Sequence, residues 1–238
     1  MKGHFPIAVF LLAMCPFTFA QGDLKSAKAE FTRLQNELTG VNIKSDILFL
    51  LDSSGSLWAN FFMAEKIFVT SFLNSITVSY LAARVEVIPF GTFASRYIDG
   101  VSNSSLKQHK CNLYERFLPL HNHFHGYMRN TKAAFQLAYE VCFGSFRPYK
   151  RSQVKTVVIL ITDGNWNWPW QDPSPVPTAK RLYENRVEVI AIGIGPGVYK
   201  YNLLQLVQDS NKQAFYLQNF DQLRELSFHI REGKFRNI

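Results

Sequence analysis

Ile47-Leu48-Phe49-Leu50-Leu51-Asp52-Ser53-Ser54-Gly55-Ser56 joins an unbroken apolar run to a carboxylate and two hydroxyls spaced two apart. A run without polar alternation fits a strand buried on both faces, the habit of parallel sheets covered by helices. The polar residues then lie where that strand emerges into a loop. Asp52, Ser54 and Ser56 are hard oxygen donors, suited to a small hard cation rather than a soft metal. Alone the pattern is weak, because Asp-x-Ser-x-Ser also occurs in ordinary turns. Downstream residues strengthen it: Thr131 opens a helix after Gly126, and Asp163 ends a second apolar run, Val157-Val158-Ile159-Leu160-Ile161-Thr162.

Strand-like and helix-like runs alternate along the chain, which predicts an α/β fold with a mainly parallel sheet and helices on both faces. Strands are expected over residues 46–51, 84–90, 94–98, 117–124, 154–161, 187–194 and 214–217. Helices are expected over 61–76, where Phe61, Ala64, Phe68, Phe72 and Ile76 recur at three and four, and over 131–143, 176–185, 203–209 and 220–231. The result is a Rossmann-like open sheet, in which ligands bind beyond the carboxyl ends of the strands. Asp52 and Asp163 both belong to that edge.

This set resembles the von Willebrand factor A (VWA) domain with its metal-ion-dependent adhesion site (MIDAS). Asp52, Ser54, Ser56, Thr131 and Asp163 fill all five positions of the family pattern, and the resemblance covers residues 44–232. Within the family the chain is similar to polydom-type VWA domains of large extracellular proteins with sushi, EGF and pentraxin modules. Gln108-His109-Lys110-Cys111, Thr131-Lys132-Ala133-Ala134-Phe135-Gln136 and an amphipathic helix before the domain carry that likeness. The resemblance implies a VWA fold with one short antiparallel edge strand, expected at 94–98. It also implies Mg²⁺ as the cofactor, with Mn²⁺ or Ca²⁺ as alternatives, and an Asp or Glu from a partner completing the metal shell. Where close relatives have Gly-Gly-x-Thr-x-Thr, this chain has Gly126-Tyr127-Met128-Arg129-Asn130-Thr131. Arg129 either lowers metal affinity or helps grip an acidic ligand. All four tryptophans fall beside the site in sequence: Trp58, Trp166, Trp168 and Trp170. With Arg129 they are read as a ligand rim, since tryptophan is enriched at binding hot spots.

The first residues read as a secretory signal: a basic start at Lys2 and His4, an apolar stretch over 5–19, and Thr18-Phe19-Ala20 as the cleavage site before Gln21. That stretch is shorter than the ~20 residues of a membrane span and holds Pro6 and Pro16. The expected organisation is a signal peptide at 1–20, an amphipathic helix at 21–43, the VWA domain at 44–232 and a tail at 233–238. Leu24, Ala27, Phe31, Leu34 and Leu38 give that helix either a face for its own domain or a short coiled-coil seam. Hydrophobic residues at 47% and aromatics at 15% exclude a disordered chain. Cys111 and Cys142 survive cleavage, and a disulfide between them is the default in an oxidising compartment. Two separate thiols, with Cys142 in the core, is the alternative. Asn103-Ser104-Ser105 is an acceptor for N-glycosylation.

The net charge is +8, and loss of Lys2 brings it to +7. Its basic residues are spread out, densest at Lys150-Arg151 with Lys155, and no nucleic-acid module is present. The surplus suits acidic glycans or a merely solvated surface. His121, His123 and His125 would share one face of a strand, a spacing that can hold a transition metal. Three functions are compatible with these residues. The leading one is a secreted, extracellular adhesion module that binds a matrix protein through its metal site. The others are a structural spacer with a dead site and an enzyme. The enzyme lacks support, for there is no Gly-x-Ser-x-Gly elbow, phosphate loop or Asp-x-Asp.

Overall fold

The computed structural model describes residues 18–39, 43–55, 59–101, 109–121, 128–144, 151, 154–165, 174–207, 210 and 212–233. The apolar run at 47–51 becomes the middle of β1 (Ser45–Asp52), every residue of which is buried. Its odd and even side chains feed two separate cores. Ile47, Phe49 and Leu51 enter one, and Leu48 and Leu50 enter the other. β1 pairs in parallel with β2 (Ala83–Phe90) on one side and β4 (Lys155–Thr162) on the other. β5 (Glu188–Ile194) and β6 (Ala214–Leu217) continue outward in parallel. β3 (Ile98–Asp99) closes the far edge antiparallel to β2, giving the order β3-β2-β1-β4-β5-β6. The mainly parallel sheet with one antiparallel edge strand is as the sequence implies.

Helices cover both faces. On one side the core includes side chains from α1 (Thr18–Leu38), α2 (Ala59–Ser75), α3 (Lys110–Phe117) and α7 (Phe220–Gly233). On the other it includes α4 (Thr131–Phe143), α5 (Val176–Glu184) and α6 (Lys200–Leu206). α1 is part of the domain rather than a free seam. Leu24, Ala27, Phe31, Leu34 and Leu38 are all buried, and Phe31 meets Phe68 and Phe72 edge to face at 5.2 and 6.0 Å. Arg33 pairs with Glu188 of β5, and Lys155 bridges Glu37 and Glu188, so charges bind the helix to the sheet as well.

Four expectations are corrected. Residues 117–124 do not begin as a strand: Leu113 and Phe117, four apart, bury the face of α3, and the chain then turns at 118–119. His121 is exposed outside any strand, so a strand face shared with His123 and His125 is not formed there; the latter two lie outside the described residues. The edge strand is shorter than 94–98 and displaced, with only an isolated bridge from Phe90 to Ala94 before β3. Pro89 in β2 lacks the N–H that a longer ladder would use there. Finally, no disulfide joins Cys111 and Cys142. Cys111 is exposed on α3, whose buried residues enter one core, whereas Cys142 is buried in the core on the opposite face of the sheet. Asn103 lies outside the described residues.

The densest basic run is also largely consumed internally. Arg151 pairs with Asp46 and donates to the carbonyls of Ser45 and Ala82 at 2.7 and 2.8 Å. With Lys155 held by two glutamates, these two residues do not form an open cationic patch.

Candidate metal centre

The carboxyl end of β1 delivers Asp52 into the interior with no exposed surface. A bare carboxylate there would be costly, so its oxygens must find donors. Oδ1 accepts from the Ser54 N–H at 3.0 Å, the local turn that Asp-x-Ser favours. Oδ2 accepts from Thr162 Oγ1 at 2.7 Å and from Arg129 Nε at 2.6 Å. Ser54 is 1% exposed. Ser53 N and Oγ both donate to the Phe90 carbonyl, at 2.7 and 3.0 Å, tying this loop to the end of β2.

Thr131 is the first residue of α4 and is 1% exposed. Asn130 caps the helix by accepting from the Ala133 N–H at 2.8 Å, and its own N–H donates to the Gly91 carbonyl at 2.7 Å. That second bond sets the start of α4 against the loop after β2. Asp163 follows β4, and its oxygen accepts from the other arm of Arg129. Its main chain is closely covered, for a Cβ on Gly197 would stand 2.6 Å from the Asp163 carbonyl oxygen. Asn165 braces the same loop, donating to the Gly197 carbonyl at 2.7 Å and accepting from the Tyr199 N–H at 2.8 Å.

The structure thus gathers Asp52, Ser54, Thr131 and Asp163 at one edge of the sheet. Ser56, Trp58, Trp166, Trp168 and Trp170 lie outside the described residues. Arg129, read from the sequence as part of the rim, has a side chain 18% exposed that bridges Asp52 and Asp163. Burial works against its charge, but the two aspartates outweigh burial and hold its pKa above the usual arginine value.

Sequence reasoning missed three participants. Thr162 supplies a hydroxyl to Asp52. Gly164 leaves space for the guanidinium, since a Cβ there would stand 2.1 Å from Arg129 Nη1. Glu65 on α2 is completely buried, and neither carboxylate oxygen has a hydrogen-bond partner among the described residues. Burial, then the charges of Asp52 and Asp163, push its pKa well above the ordinary carboxylate range, with Arg129 opposing. Its signal was a carboxylate one residue from Ala64 on the apolar stripe of α2.

These residues fit a divalent cation. Asp52 and Asp163 set two negative charges against the Arg129 guanidinium, and Glu65, whose burial favours its neutral form, lies near them without a hydrogen-bond partner among the described residues. Oxygen donors, with no thiol or imidazole among the four gathered, suit a hard ion.

A family model described as von Willebrand factor type A domain matches residues 46–228. The chain belongs to the von Willebrand factor type A family. The mouse sushi, von Willebrand factor type A, EGF and pentraxin domain-containing protein 1 is 30% identical over 200 residues, or 82% of this VWA chain and 5% of that protein. The mouse collagen alpha-5(VI) chain is 27% identical over 206 residues, or 85% of this chain and 7% of its own length. The VWA chain therefore spans only a small part of either relative. Among solved structures, proximal thread matrix protein 1 of the mussel byssus superposes with a TM-score of 0.69 at 22% identity, covering 81% of this chain and 48% of that one. Another structure of that protein has a zinc-occupied MIDAS motif. Manganese-loaded Plasmodium vivax TRAP protein superposes with a TM-score of 0.60 at 20% identity, covering 78% and 72%. At those identities the likeness is one of fold.

Proposed function

We infer that this VWA domain is a secreted interaction module that binds an extracellular or matrix protein through a divalent cation. Asp52, Ser54, Ser56, Thr131 and Asp163 would hold the ion, with Mg²⁺ the first choice and Mn²⁺ or Ca²⁺ the alternatives. The ion would supply a Lewis-acidic position for an Asp or Glu carboxylate of the partner. The observation that carries this reading is Asp52: a carboxylate with no exposed surface, beside Asp163, at the strand ends where open α/β sheets bind ligands. The hydroxyls of Ser54, Ser56 and Thr131 carry no charge, and Asp52 and Asp163 would act mostly through ordered waters, so the ion would stay under-neutralised and open to an anionic ligand. Matrix names among the relatives, a collagen VI chain and matrilin-2, support an extracellular partner. No helix among the described residues is long and apolar enough to cross a membrane. The tryptophans of 166–170 and Trp58 would form the rim around the partner. Acidic glycans are the weaker partner, because Arg151 and Lys155 are already paired.

Tryptophan fluorescence during a Mg²⁺ titration, reversed with EDTA, tests the reading. A saturable, reversible change is expected in the wild type and not in Asp52→Ala. A wild type that ignores several millimolar Mg²⁺, Mn²⁺ and Ca²⁺ alike, by fluorescence and by calorimetry, would overturn it.

A further inference from the structure

Arg129 stands where a cation belongs. Its Nε lies 2.6 Å from Asp52 Oδ2, and its Nη2 donates to Asp163 Oδ1, so one guanidinium joins two carboxylates 111 residues apart in sequence. A fixed planar fork is well matched to such bridging. The seat is shaped for it. At Gly164 a Cβ would come within 2.1 Å of Nη1 and 2.5 Å of Cζ, so a side chain at 164 and the guanidinium exclude one another. Room also exists beside the seat: a cleft of about 700 Å³ is lined by Arg129 and Asp163 together with Phe61, Tyr199, Gln218 and Phe220. The floor and walls of that cleft come from the ends of β5 and β6 and the start of α7.

We propose that Arg129 is the resident cation of the metal-free centre, and that a divalent ion must displace it from Asp52 and Asp163 to load. The inference rests on the metal-site reading and adds a threshold to it. Two cations that need the same carboxylates bind at each other's expense, a reciprocity fixed by linkage. The affinity observed for the ion is the intrinsic affinity reduced by the fraction of molecules whose carboxylates are not bridged. Asp52 and Asp163 then keep a cation between them in either state, the guanidinium or the ion. The cleft gives the displaced arm a polar destination, with Tyr199 and Gln218 on its wall.

Calorimetric titration of the purified chain with Mn²⁺ and Mg²⁺ decides the matter when wild type, Arg129→Gln and Gly164→Ala are compared. Arg129→Gln should bind the ions about tenfold or more tightly than wild type. Gly164→Ala should shift affinity in the same direction, since its methyl evicts the guanidinium without removing its charge. In EDTA, Arg129→Gln should melt below the wild type, and saturating Mn²⁺ should close the gap. Ion affinity unchanged or weakened in both variants overturns the competition while leaving the metal site intact. Tightening in Arg129→Gln alone reduces the effect to charge repulsion and likewise overturns it. If no form of the protein takes up either ion, the metal reading fails and the competition with it. Should Arg129→Gln fail to fold, the Gly164→Ala titration decides alone.

Discussion

A buried carboxylate persists either because a cation matches its charge or because a proton removes it. Asp52 follows the first route, held by Arg129, Thr162 Oγ1 and the Ser54 N–H. Glu65 leans to the second, driven first by burial and then by the negative charge of Asp52 and Asp163. It has no hydrogen bond to offset its desolvation among the described residues. Glu65→Met keeps the volume and removes the polar atoms, so the metal-free protein should gain about 1–3 kcal/mol. Thermal unfolding in EDTA checks this; a lower melting temperature would mean that Glu65 is satisfied within the fold. The opposite is expected at Asp52. Asp52→Ala removes one of the two carboxylates that Arg129 bridges among the described residues, and a buried pair broken on one side costs about 3–5 kcal/mol. Part of that loss should be regained in Arg129→Gln/Asp52→Ala, which removes both charges.

At the scale of elements, Glu86 ties β2 to the short edge strand. It is fully buried, accepts from Arg96 Nε at 2.6 Å and from the Val101 N–H at 3.1 Å, and pairs across the ladder with Asp99. Burial pushes its pKa up to about 7, against the opposing pull of Arg96 and the Val101 N–H and with help from Asp99. An acid whose pKa is raised on folding binds more protons folded than unfolded, so its contribution falls as pH rises from the unfolded value near ~4.3 to the folded one. Between about pH 4.5 and 7 this amounts to about 3 kcal/mol. Urea denaturation across that window should show a weaker decline with pH in Glu86→Gln than in the wild type; parallel profiles would refute the assignment. α1 is held more simply. Phe31 has no exposed surface and packs edge to face on two rings of α2. Phe31→Ala should cost about 3–5 kcal/mol in the same assay.

Elements were legible where local chemistry marks their ends. α4 is readable to the residue, because Asn130 caps it and Gly144 follows its last residue. β6 is readable because its run is short, apolar and bounded by polar residues. The misread segment at 117–124 shows the limit. Phe117, Leu118 and Leu120 look like one apolar run, yet Leu118 is 57% exposed, and only its place after α3 reveals this. A run of three or four apolar residues does not distinguish a helix end followed by a turn from a strand.

For the whole molecule, the sheet is a wall between two cores, and that wall decides the fate of the cysteines. Cys111 should react with a thiol reagent in the native state, while Cys142 should react only on unfolding, and dithiothreitol should leave the melting temperature unchanged. A shift of the melting temperature with reductant would contradict the placement. The same view makes α1 integral: a chain beginning after residue 43 would expose the faces of Phe68 and Phe72 that Phe31 covers.

By itself, the sequence determined the five parallel strands, most of the helices and the place of Asp52 and Asp163 at the strand ends. Apolar runs and spaced hydroxyls are local patterns, and local patterns survive reading along the chain. Only the tertiary structure decided that Arg129 lies between Asp52 and Asp163, that Glu65 has no hydrogen-bond partner among the described residues, and that the two cysteines belong to opposite sides of the sheet. Arg129 and Asp52 are 77 residues apart. Their pairing follows from strands and loops converging at one sheet edge, where burial makes every unmatched charge costly. Distances of that kind are set by the closed fold, not by neighbours in sequence.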